Sequence, residues 1–136
     1  MLITTTQIQA RIPVSVMHLH GDMDASNYTK VIKKAQEIYD GGARDLILDL
    51  SKVPYLSSAG LMALHTTALV FAGQSVKIES SGRPVFRALD PTKDSSARQH
   101  VKLVNPQPQV NQVIQTVGLK QFFEVFSDLG SALNSF

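Results

Sequence analysis

The sequence predicts an α/β domain, a mixed and mostly parallel sheet of about five strands flanked by about four helices. Segments rich in β-branched residues alternate with segments whose apolar residues recur at helical spacing, the order that builds parallel sheets covered by helices. The first two strand-like segments follow one another with no helix between them, which predicts an opening hairpin. The run "DLILDL", residues 45 to 50, is short, apolar and bounded by turn residues, as a central strand beneath helices would be.

Taken in order, "LITTTQI" (2 to 8) reads as a first strand and "PVSVMHLHG" as its neighbour. A helix follows, capped by Asp24 or Ser26; Tyr28, Val31, Ile32, Ala35, Ile38 and Tyr39 recur at helical spacing before Gly41-Gly42 stops it. After "DLILDL" a second helix is expected from about Ala59 to Ala72, ended by Gly73. Residues 74 to 99 lose periodicity and gather Ser, Pro, Gly and charge, so they read as an inserted segment within a single domain spanning 1–136. "HVKLV" restores a strand, and Pro106 and Pro108 introduce a helix over about 107 to 117 with Val110, Val113, Ile114 and Val117 on one face. Gly118 is placed to terminate it, "FFEVF" gives a last short strand, and "SDLGSALNSF" a final helical turn or two.

Composition narrows the function classes. The chain has 136 residues, enough to bury a core unaided by disulfides or metals, and its 43% hydrophobic and 18% charged residues are those of an ordinary globular domain. Zero cysteines exclude disulfides, thiol catalysis and cysteine-ligated zinc. A net charge of +2, without basic runs interleaved with aromatics, argues against nucleic acid as a partner. The N-terminus lacks the pattern of a signal peptide, and no uncharged stretch reaches the roughly 18 to 20 apolar residues that span a bilayer. A cytoplasmic location without membrane insertion is the expectation.

The segment "YLSSAGLMAL", residues 55 to 64, carries the most chemistry. Two adjacent serines fall at a helix start, where backbone N–H groups lack intrahelical partners. An N-cap would account for one of them. The alternative is phosphorylation: a phosphoserine would bring about −1.5 to −2 charges to the positive end of a helix dipole. The domain could hold such an anion, whereas a partner packed on the same patch could not bury it unpaired.

The blocks "VSVMHLHGDMDASN", "DLILDLSKVPYLSSAGLMAL", "VKLVNPQPQVNQVIQTVGL" and "FFEVFSDLGSAL" together resemble the STAS domain family, in the branch of bacterial anti-sigma factor antagonists. Their order and spacing carry the resemblance over nearly the whole chain outside residues 74 to 99. It implies a STAS fold, a non-enzymatic role without cofactor or metal, capture of a serine-kinase anti-sigma factor that frees a sigma factor, phosphorylation by that kinase, and reversal by a metal-dependent serine phosphatase. The family's Asp-Ser-Ser-Gly pattern falls on Ser57, Ser58, Ala59 and Gly60, so the resemblance makes Ser58 the phosphoacceptor, with Ser57 the alternative. Ser57 stands where the family has an acidic residue, and Ala59 where it has a second serine. Asp24 matches the family's acidic residue before the first helix. The partner-binding patch then comprises Asp24, Ser57, Ser58, Ala59, Gly60 and Leu61.

Other readings start from other residues. "DLILDLSKVP" superficially suggests a phospho-aspartate receiver, with Asp49 as acceptor and Asp22 and Asp24 as the acidic pair, but Lys102 lies inside its strand rather than at the end. Asp49 is better placed to cap or hydrogen-bond the turn at Ser51. "LSSAG" lacks the first glycine of a serine-hydrolase elbow. His18 and His20 share a strand face without a third ligand at a recognisable spacing, so an exposed or half-buried strand face is the simpler reading. His65 reads as a packed helix residue, and Phe122, Phe123 and Phe126 as alternating core residues of the last strand. The inserted segment is mildly basic, Lys77, Arg83, Arg87, Lys93 and Arg98 outnumbering Glu79, Asp90 and Asp94. It reads as a solvated loop or as an extension of the partner surface, a cover for it, or a route to a homodimer. The STAS fold would equally serve as a scaffold or subunit of a signalling or lipid-transport assembly without regulatory phosphorylation.

Overall fold

The computed structural model describes residues 1–73 and 97–136, apart from the side chains of 97 and 98. The charges expected on the inserted segment lie outside the described residues. Strands β1 (Leu2–Gln9), β2 (Pro13–His20), β3 (Leu46–Lys52), β4 (Val101–Val104) and β5 (Glu124–Phe126) form one sheet in the order β1-β2-β3-β4-β5. Only the β1–β2 pair is antiparallel; the other three are parallel. The expected hairpin and the central position of the "DLILDL" strand are both present.

Alternation along each strand divides the side chains between two faces. Met17, Leu19, Leu46, Leu48, Leu50, Val101 and Leu103 belong to the main core. Helices α1 (Tyr28–Asp40), α2 (Ser58–Phe71) and α4 (Pro108–Thr116) bury Val31, Ile32 and Ala35, Ala63, Leu64 and Ala68, and Val110 and Ile114 in it. α2 is apolar on nearly every side, as a helix enclosed by its neighbours must be. Its C-terminal Phe71 meets Tyr39 of α1 edge to face, with ring centroids 5.3 Å apart. A four-residue turn, α3 (Ala97–His100), leads into β4, where His100 Nδ1 lies 2.9 Å from Asp45 Oδ1.

The other sheet face carries a smaller cluster of Val14, Val16, Ile47 and Val104, covered by Ala132, Leu129, Leu133 and Phe136 of the C-terminal segment. That segment includes α5 (Leu129–Asn134), capped by Asp128, whose Oδ1 accepts from the Ser131 N–H at 2.8 Å. Lys102 is buried on this face. Its Nζ donates to Glu124 Oε1 at 3.2 Å and sits 4.8 Å from the Phe136 ring centroid.

Several expectations need correction. The N-cap position of α1 is held by Asn27, not Asp24 or Ser26, and its side chain takes no N–H of the helix. Its buried side chain ties the preceding loop, taking the Asp24 N–H on Oδ1 and donating from Nδ2 to the Asp22 carbonyl. Val117 is exposed rather than part of the buried face of α4, because α4 ends at Thr116 and Gly118 turns the chain with a φ of 79°. Phe122 and Phe123 are buried before β5 begins, behind a 3₁₀ turn at Leu119–Gln121, so only Phe126 belongs to the strand.

Candidate functional site

Parallel strands deliver their C-terminal ends, and the loops that follow them, to one side of a sheet. The loops after β2 and β3 run side by side there. Gly21 N–H donates to the Lys52 carbonyl, Met23 N–H to the Tyr55 carbonyl and Ser57 N–H to the Met23 carbonyl, each at 3.0 Å. Met23 and Leu56 form an isolated parallel bridge. The segment bearing Asp24 is thereby fixed against the start of α2. The side chains of Gln107 and Gln109 extend the support, donating to the carbonyls of Ser51 at 3.2 Å and Pro54 at 2.7 Å.

The two serines are not equivalent. Ser57 has extended backbone angles, and its Oγ accepts the Gly60 N–H at 3.2 Å, so it is the N-cap. An acidic side chain at this position would supply the same acceptor oxygen to the first turn. Ser58 is the first residue of α2 and is exposed, while Ala59 and Leu61 are half-buried. Gly60 is buried, and a Cβ added there would lie 2.5 Å from the Met23 carbonyl oxygen and 2.6 Å from Leu56 Cδ1. The helix can approach the Met23 loop this closely only with glycine. Ser57→Ala should therefore lower stability by about 1 kcal/mol and Ser57→Asp leave it nearly unchanged, as measured by urea unfolding.

The Asp24 carboxylate accepts the hydroxyl and backbone N–H of Ser26, which together hold it below the usual carboxylate range. Its backbone carbonyl takes the N–H groups of Asn27 and Tyr28. Asp22 is exposed nearby. Around the serines the surface is apolar: Tyr55, Met62 and Val117 are all exposed. Leu61, Met62, His65, Val117 and Leu119 line a shallow depression of about 170 Å³. Sequence reasoning passed over both Tyr55, in the loop before α2, and Met62, whose outward position within an apolar run only the helix phase reveals.

Asp49 lies at a different place, on the sheet face that α5 partly covers. Its Oδ1 accepts the Ser51 hydroxyl at 2.7 Å and N–H at 3.1 Å, as expected, and its Oδ2 meets His18 Nδ1 at 2.8 Å. Partial burial raises its pKa, but the Ser51 hydroxyl, the His18 ring and the Ser51 N–H outweigh this and leave it lowered. A carboxyl lowered by folding adds stability above its ordinary pKa, and loses that contribution as pH falls through the folded value. The stability gap between the native chain and Asp49→Asn should thus narrow below about pH 4, measured by urea unfolding across pH.

His18 Nε2 also lies 3.4 Å from Thr6 Oγ1, so this imidazole is engaged at both nitrogens. The acidic cluster of a receiver is not assembled, for no group of three or more His, Cys, Asp or Glu able to hold a metal occurs among the described residues. Lys102, which a receiver would need at a strand end, is buried inside the sheet beside Glu124. No helix among the described residues is long and apolar enough to cross a membrane.

Comparison with known proteins agrees with this architecture. The family description "STAS domain" matches residues 5–79, more than half of the chain. No curated protein sequence matches significantly. Among solved structures, an anti-sigma factor antagonist from Mycobacterium paratuberculosis is 22% identical, with a TM-score of 0.66, covering 98% of this chain and 93% of its own. An antagonist candidate from Thermotoga maritima is 14% identical, with a TM-score of 0.70 and coverages of 97% and 92%. The phosphorylated form of the Bacillus cell fate determinant SpoIIAA is 15% identical, with a TM-score of 0.61 and coverages of 98% and 97%. The mixed five-stranded sheet, the helices laid on it and the matched segment through both loops of the site place the chain in the STAS domain family.

Proposed function

We propose that this chain is a non-enzymatic, cytoplasmic binding module, an anti-sigma factor antagonist switched by phosphorylation of Ser58. Unphosphorylated, it captures a serine-kinase anti-sigma factor and so frees a sigma factor; the kinase modifies it, and a metal-dependent serine phosphatase restores it. The observation that carries this reading is the division of labour at the α2 N-terminus: Ser57 is occupied as the cap, while the adjacent Ser58 hydroxyl is exposed. A phosphate on Ser58 would meet the positive end of the α2 dipole, with no acidic residue in the first turn to oppose it. The domain would keep its fold. A partner lying over Tyr55, Leu61 and Met62 would instead have to bury a dianion, which is costly without cations of its own.

Incubation with ATP and candidate kinases, followed by mass spectrometry, tests the assignment. One phosphate is expected on the native chain and on Ser57→Ala, and none on Ser58→Ala. A phosphate that survives Ser58→Ala and disappears in Asp49→Asn would replace this reading with the receiver.

A further inference from the structure

Among the described residues β1 is an edge strand, eight residues long, each of them in register with β2. Its outer edge leaves backbone N–H and C=O groups without ladder partners among the described residues, and such edges pair with other strands unless charge, proline, a bulge or shortness prevents it. β1 has none of these protections: "LITTTQIQ" contains no charged residue and no proline, and its pairing shows no register shift. The opposite edge strand, β5, has only three residues. Leu2, Thr4, Thr5, Thr6, Gln7 and Gln9 are exposed.

We propose that two copies of this chain pair antiparallel along β1, about a two-fold axis through Thr5, joining their sheets into one. The strand is self-complementary in that register. Thr5 faces its own copy, Thr4 faces Thr6, Ile3 faces Gln7, and Leu2 faces Ile8. Opposed residues then have the same parity, so each keeps its sheet face, as a two-fold axis normal to the sheet requires. Leu2, 59% exposed in the single chain, gains the partner's Ile8, which already packs on the smaller apolar cluster. Threonine pairs are favourable cross-strand neighbours, and no like charges meet within the strand. The contact is isologous and uses the same edge of both copies, so it closes at a dimer.

Sedimentation equilibrium of the whole chain, up to about 1 mM to reach weak association, should give twice the chain mass. Thr5→Lys brings two ammonium groups together on the axis and should weaken the dimer about tenfold or more. Thr5→Cys would be the only cysteine, and either kind of antiparallel pair holds Cα atoms within disulfide reach. It should cross-link on mild oxidation, where Lys33→Cys on the exposed side of α1 does not. Circular dichroism confirms that each variant is folded. A monomer at every concentration, a dimer indifferent to Thr5→Lys, or mass growing beyond two copies would overturn the proposal.

Discussion

Replacing Gly60 with alanine should destabilise the domain by about 3 kcal/mol, although it adds a single methyl group and favours helix. The cause is the Met23 carbonyl oxygen, 2.5 Å from where that methyl carbon would lie. Leu56 Cδ1 on the other side could rotate away, but the Met23 carbonyl cannot. It accepts the Ser57 N–H, and the same residue's N–H is bound to Tyr55. Moving it breaks the bridge that holds the two loops together. Chemical unfolding measures the loss, and hydrogen exchange at Met23 and Ser57 should localise it. An effect below about 0.5 kcal/mol, the range of ordinary surface changes, would mean that the loops are not locked as described.

The second large effect concerns Lys102 and Glu124, and it should be asymmetric. Lys102 is almost fully buried, whereas the Glu124 side chain is 38% exposed. Glu124→Leu leaves an ammonium in an apolar setting without its carboxylate, and should cost about 2 kcal/mol or more. Lys102→Met keeps most of the aliphatic volume, removes the buried charge and leaves a carboxylate that water can reach. It should be within about 1 kcal/mol of the native chain. The aromatic rings of Phe136 and Phe126, 4.8 and 5.7 Å from Nζ, offset only part of the missing charge. Denaturant titration of the two variants and the double mutant gives the coupling directly.

The order of strands and helices was legible because apolar periodicity and turn residues are local signals. The resemblance places Gly60 in the partner patch, but the reason for glycine there is a contact with Met23, far away in sequence. Assigning the cap to Ser57 rather than Ser58 depended on backbone angles that two adjacent serines do not disclose. Asn27 does not stand out as the N-cap position of α1 because Ser26 and Asp24, one and three positions before it, are equally suitable residue types. Lys102 carried no sign of its burial, since its place between Val101 and Leu103 suits an outward-facing strand position as well. Val117 continued a helical pattern that Gly118 cuts short, and so it was assigned to the core although it stands on the surface.

The inserted segment leaves the described structure after Gly73 and rejoins it at Ala97. Both points belong to the pole opposite Ser58: α2 runs fourteen residues from Ser58 to Phe71, just before Gly73, a rise of roughly 20 Å, and β4 enters the sheet beside Leu46 at the start of β3. Its attachment points therefore do not adjoin the proposed partner patch around Ser58.

The proposed switch rests on charge at one exposed serine. Titration calorimetry of the cognate serine-kinase anti-sigma factor against unmodified and fully Ser58-phosphorylated chain measures it most directly. Phosphorylation should weaken binding by about a hundredfold or more, the scale of an unpaired charge in an interface. Equal affinities for the two forms would contradict the account.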